Sequence, residues 1–138
     1  MDPIQKFFID VQDNIDGLGR DRDIHDLSRI WLRDTLPHCY TYNFSWMGRP
    51  IIQYPQDMIA MQELIWSIKP DLIIETGIAH GGSLIFSASM LAQLDICDSI
   101  EADTSFDPKK SNRKVLGIDI DIRAHNRAAI EAHPMASR

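Results

Sequence analysis

Apolar positions recur along this chain in two registers, and the changes of register mark its elements. Ile4, Phe7, Phe8, Val11 and Ile15 fall at helical spacing, which predicts a first helix with one apolar face. Asp2 is placed to cap it and Pro3 suits its first position. Gly17-Leu18-Gly19 is expected to end it. A second helix is predicted over about 21–34, with Ile24, Leu27, Ile30 and Trp31 inward, closing before Pro37. A third should run from Pro55 through Ile68, with Asp57 in its first turn. Met58, Met61, Leu64, Ile65 and Ile68 form its buried stripe, an ordinary core face. Between the second and third helices, residues 40–54 concentrate aromatics without a clear period. That reads as a loop packing its rings on the core, or as the wall of a ligand pocket.

The period changes after Pro70. Leu72-Ile73-Ile74 is an uninterrupted apolar run, the pattern of a strand buried on both faces of a parallel sheet. Three glycines follow within seven residues of Glu75. Leu84 to Leu94 is then apolar nearly all round, as in a helix packed between layers. From Asp95 to Lys114 the composition turns acidic and then basic, which reads as an exposed connection. Val115-Leu116-Gly117-Ile118-Asp119-Ile120-Asp121 is the second strand, followed by a helix over 122–133. Strand, helix and parallel strand make a βαβ unit. The fold class is α/β.

In such a unit a ligand binds beyond the carboxyl end of the first strand, against the N–H groups of the next helix. Here the loop is Glu75-Thr76-Gly77-Ile78-Ala79-His80-Gly81-Gly82-Ser83. It lacks the G-x-G-x-x-G of dinucleotide sites and the Lys-Ser/Thr of a P-loop. An acid before the first glycine would repel a pyrophosphate and attract an ammonium, which favours S-adenosylmethionine. The candidate cofactor-binding residues are Glu75, Gly77, Ala79, His80, Gly81, Gly82 and Ser83, with Asp119 and Asp121 at the second strand tip. Asp119 is the better placed to hold ribose hydroxyls. Asp121 either joins it or caps the following helix. His80 is the one candidate for a catalytic base, and otherwise shapes the loop.

The charge narrows the partners. A net charge of −6 argues against nucleic acid and anionic membrane surfaces. Cys39 and Cys97 form no metal or redox motif, in keeping with a reduced, cytoplasmic setting. The start Met1-Asp2-Pro3 is not that of a signal peptide, and no membrane-spanning run of 18 apolar residues occurs. None of His25, His38, His80, His125 and His133 carries the His-x-Asp/Glu half of a facial iron triad.

The motifs Tyr42-Asn43-Phe44-Ser45-Trp46, Ile74 through Ser83 and Gly117-Ile118-Asp119-Ile120-Asp121-Ile122-Arg123 resemble the cephalosporin hydroxylase / rhamnosyl O-methyltransferase family, over about 40–134. The resemblance implies a Rossmann-like class I methyltransferase fold, of which this chain would hold only the N-terminal part. Residues 1–54 would be a helical segment with the aromatic loop, and 55–138 the first βαβ portion of the cofactor domain. It implies S-adenosylmethionine as cofactor, matched at Glu75, Gly77, Gly81, Ser83 and Asp119. It also implies a small-molecule or glycolipid hydroxyl as acceptor, and often a cation such as Mg²⁺. Catalytic and metal-binding acids would then lie beyond Arg138, so no metal ligand is assigned within the chain. Two other functions stand beside methyl transfer. One is a nucleotide-sugar glycosyltransferase using Asp119-x-Asp121 to hold a metal; the other is a non-catalytic cofactor-binding domain. A two-stranded sheet is not independently stable, so the chain is expected to be marginal or to form homo-oligomers.

Overall fold

The computed structural model describes residues 1–138 and is a mixed α/β structure with five α-helices and two small sheets. It divides into two compact units, Met1–Tyr40 and Thr41–Arg138.

The first unit is helical. Helix α1 spans Pro3–Arg20, with Asp2 accepting the Ile4 N–H at its start. It does not stop at the glycines. Gly17 and Gly19 each cost about 1 kcal/mol of helix propensity, but an Arg20–Asp16 pair one turn apart bridges that turn. Asp21 breaks the chain direction and caps helix α2, Arg22–Thr35, by accepting from the Asp23 and Ile24 N–H groups. The His25 ring bonds the Gly19 carbonyl at 3.0 Å, so this histidine closes the carboxyl end of α1. Neither helix buries a residue. Ile24, Leu27, Ile30 and Trp31, expected to face inward, are exposed.

The second unit holds the core. The aromatic stretch is a β-hairpin rather than a loop: β1, Phe44–Trp46, pairs antiparallel with β2, Arg49–Ile51. Met47 and Gly48 both have positive φ (45° and 83°), as a tight two-residue hairpin turn requires. Helix α3 follows at Pro55–Ile68. Strand β3, Leu72–Thr76, and strand β4, Lys114–Ile118, pair in parallel with Ile74 opposite Leu116. Helix α4, Gly82–Glu101, connects them, and helix α5, Ala124–Glu131, comes last.

The core gathers on α4. Ile51, Ile65, Phe86, Met90, Leu91 and Leu94 form its centre, with Phe44, Trp46, Met58, Ile73 and Val115 against them. Trp46 packs edge-on to Phe86 at 4.9 Å and donates its indole N–H to Ser89 Oγ at 2.9 Å. Of the stripe expected on α3 only Ile65 is buried; Met61, Leu64 and Ile68 are exposed. By length and composition α4 would suffice to cross a membrane, yet half of that window is buried inside the structure, as in a core helix.

Two more expectations need correcting. Residues 95–101 are helical, not an exposed connection. Arg113 pairs with Asp95 at 2.6 Å and with Asp98 at 2.7 Å, and Arg138 also pairs with Asp95. These contacts hold the last turns of α4, which overrun a five-residue strand. Strands β3 and β4 are covered on one face only. Alternation turns Ile73 and Val115 to the core, while Leu72, Ile74, Leu116 and Ile118 remain 48–58% exposed.

Candidate functional site

Strand alternation sets the site. Glu75 follows Ile73 by two residues, so it points to the α4 side of the sheet, where Ser83 in the first turn of α4 donates its hydroxyl to Glu75 Oε1. The carboxyl is half-buried, has no ion pair within the chain, and its pKa is raised from the ordinary 4.5. Burial is the larger cause; the Ser83 bond opposes it.

The chain from Thr76 to Gly82 is a tight turn fastened from both sides. The Gly77 N–H donates to the Ile118 carbonyl at 2.8 Å, extending the β3–β4 ladder, and the Gly81 N–H closes the turn on the Ile78 carbonyl at 2.7 Å. Asp119, just past β4, accepts the Ile78 N–H on Oδ2 at 2.8 Å and the Asp121 N–H on Oδ1 at 3.1 Å. Backbone donors, that of Asp121 first and then Ile78, hold its carboxyl below the ordinary carboxylate value. Gly82 is required for close approach: a Cβ there would stand 2.2 Å from the Pro50 carbonyl oxygen of β2. Gly77, at φ +79°, has nothing within 4 Å of a notional Cβ, so its backbone is open to a ligand. Ala79 has φ +42°, a conformation that side chains disfavour.

Two residues that no sequence pattern singled out hold this turn. The Arg49 guanidinium, from β2, donates through Nε and Nη2 to the His80 carbonyl at 3.0 and 2.6 Å. Asn126 on α5 is buried; its amide donates to the Ala79 carbonyl at 2.9 Å, and its Oδ1 meets His80 Nδ1 at 3.2 Å. A lone Arg in a hairpin and a lone Asn in a helix carry no periodic signal, so only the fold reveals them.

Beneath the turn lies a cleft of about 240 Å³. Glu75, Gly77, Ala79, His80, Gly82 and Ser83 all line it, while Gly81 supports the turn behind it. Asp57, Met58 and Met61 of α3 line it as well. The methionines read as plain core in the sequence therefore wall the cleft. Asp119 and Asp121 lie outside the lining. Asp121 does not cap α5: Arg123 occupies that position, with no side-chain cap bond.

The arrangement offers a carboxylate without a cation, an open glycine backbone and the N-terminus of a twenty-residue helix, with apolar Met58, Met61 and Phe86 beside them. Such a cleft suits a ligand carrying both an ammonium and an anion. Both Asp119 oxygens accept backbone N–H bonds, and no cluster of three His, Cys, Asp or Glu side chains occurs in the structure.

No curated protein and no solved structure matches the chain. The family model for rhamnosyl O-methyltransferase/CmcI matches residues 38–138, from just before the hairpin to the last residue. That match spans all the elements that build the cleft, and its family is one of methyltransferases. The chain belongs to the rhamnosyl O-methyltransferase/CmcI family, the cephalosporin hydroxylase family of the sequence resemblance.

Proposed function

We propose that this chain binds S-adenosylmethionine in the cleft below the glycine turn, as part of an O-methyltransferase acting on a small-molecule or glycolipid hydroxyl. In this reading the β3–α4–β4 unit is the opening βαβ of a Rossmann-like sheet. The observation that carries it is Glu75: a half-buried, unpaired carboxylate lining a cleft, its pKa raised by burial. A cationic ligand would remove that burden, since an opposite charge favours the ionised form.

The residues divide the work by their chemistry. Glu75 takes the ammonium of the amino-acid moiety, and Ser83 keeps the carboxylate in place. The unsatisfied N–H groups at the start of α4 take the anionic end. Asp119, at the tip of β4, is the carboxylate assigned to the ribose hydroxyls in this reading. Met58, Met61 and Phe86 keep water from the bound molecule. When bound, S-adenosylmethionine supplies an electrophilic methyl group. No cation enters this reading through residues of the chain.

Calorimetry tests it. S-adenosylmethionine and its demethylated product should bind in the presence of a chelator. Binding only after Mg²⁺ is added would overturn the assignment, as would preferential binding of a UDP-sugar with Mn²⁺. A methylation assay with rhamnosyl acceptors then separates an enzyme from a domain that only binds.

A further inference from the structure

Asn126 bridges the backbone and the histidine ring of the turn. Its Nδ2 donates to the Ala79 carbonyl, while its Oδ1 faces His80 Nδ1 at 3.2 Å and Arg49 Nη2 at 3.5 Å. The opposite amide orientation would set oxygen against oxygen at Ala79 and NH₂ against a guanidinium that can only donate. Oδ1 can only accept, so the partner nitrogen of His80 must carry the hydrogen.

We propose that Asn126 and Arg49 are positioning residues that hold His80 as its Nδ1–H tautomer, leaving Nε2 as a hydrogen-bond acceptor on a residue lining the cleft. Arg49 fixes the His80 backbone through its carbonyl and Asn126 fixes the ring. The Nδ1–H bond to Asn126 exists in both the neutral ring and the imidazolium. A ligand hydroxyl is the donor this acceptor suits. That last step rests on the proposed function; the tautomer does not.

The experiment is ¹⁵N NMR of the full, ligand-free chain with labelled histidine, at a pH where His80 is neutral. His80 should show a protonated, pyrrole-type Nδ1 and a bare, pyridine-type Nε2. The Nε2–H form in the wild-type chain would overturn the proposal outright, with no variant needed. Asn126→Ala removes the acceptor opposite Nδ1 and should lose this tautomer preference. Identical His80 spectra for the wild-type chain and Asn126→Ala would reject a positioning role. S-adenosylhomocysteine serves as the binding probe, and Asn126→Ala should weaken it about tenfold, the scale of one lost buried hydrogen bond. If the wild-type chain shows the Nδ1–H form but binds no S-adenosylhomocysteine, the cofactor reading fails and the tautomer stands.

Discussion

The two units invert what their sequences promise. Met1–Tyr40 has the most regular amphipathic pattern in the chain, with capped and ion-paired helices, yet neither α1 nor α2 buries a residue. Thr41–Arg138 is less regular in pattern, and it holds every large side chain that is fully buried: Ile51, Ile85 and Leu91. Amphipathicity specifies that a helix forms and which stripe is apolar. It does not supply the second surface that removes that stripe from water, and most helical stability comes from such packing. In the second unit α4 meets a sheet, a hairpin and α3 within one layer, so its side chains find partners.

Core truncation should separate the units most sharply. Leu91 is 0% exposed, and Leu91→Ala should cost about 2–5 kcal/mol, a large fraction of the stability of a small domain. Leu27→Ala in α2, already exposed, should change stability by no more than about 0.5 kcal/mol. Comparable urea midpoints for the two variants would dissolve the contrast.

Next in size is Gly82→Ala. Because the obstructing atom is backbone, the Pro50 carbonyl, the hairpin must shift, at about 1–3 kcal/mol. Differential scanning calorimetry should show a lower midpoint, and ligand affinity should fall with it. Unchanged thermal stability would mean that β2 and α4 are not in close contact.

The pH dependence should run in opposite directions at the two ends of α4. Glu75 has a raised pKa, so its burden on the fold is absent below the ordinary 4.5 and grows as pH rises through its folded value. Glu75→Gln should therefore stabilise the ligand-free chain at neutral pH while weakening S-adenosylmethionine binding. Asp95 is the reverse case. Burial works against its charge, but bonds from Ser111, Arg138 and Arg113 outweigh it and lower its pKa below 3.8. Its stabilisation is complete above 3.8 and is lost as pH falls through the lowered folded value. Asp95→Asn should destabilise the neutral-pH fold. Urea midpoints across pH 3–7 that move the same way in both variants would contradict these assignments.

Smaller effects should mark the strand tip and the first unit. Asp119→Ala should weaken S-adenosylhomocysteine binding more than Asp121→Ala, because Asp119 also clamps the Ile78 N–H; equal losses by calorimetry would reject that role. Asp21→Ala removes the cap on two N–H groups of α2. It should cost that helix about 1 kcal/mol, seen as lost helical circular dichroism, with near-ultraviolet signals from Trp46 unchanged.

The sequence by itself determined the elements whose signals are local. Pro3, Pro55 and Pro70, the apolar runs at 72–74 and 115–118, and the glycines after Glu75 place α1, α3, β3, β4 and the turn within a few residues. The place of Glu75 was legible too: it closes β3 just before the glycine turn and lines the cleft. The tertiary structure decided the rest. Where the rings of the hairpin at 44–46 are packed depends on Phe86 and Ser89, about forty residues away. How far α4 continues past Leu94 depends on Arg113 and Arg138. Which apolar faces are covered depends on what lies across from them, so the outer face of β3 and β4 is bare and the α1 stripe is exposed. Arg49 and Asn126 carry no periodicity of their own; they matter because the fold sets them against two consecutive carbonyls. A hydrogen-bond partner distant in sequence leaves no local trace, and that is why the cleft could be read from the chain while the bracket that holds it could not.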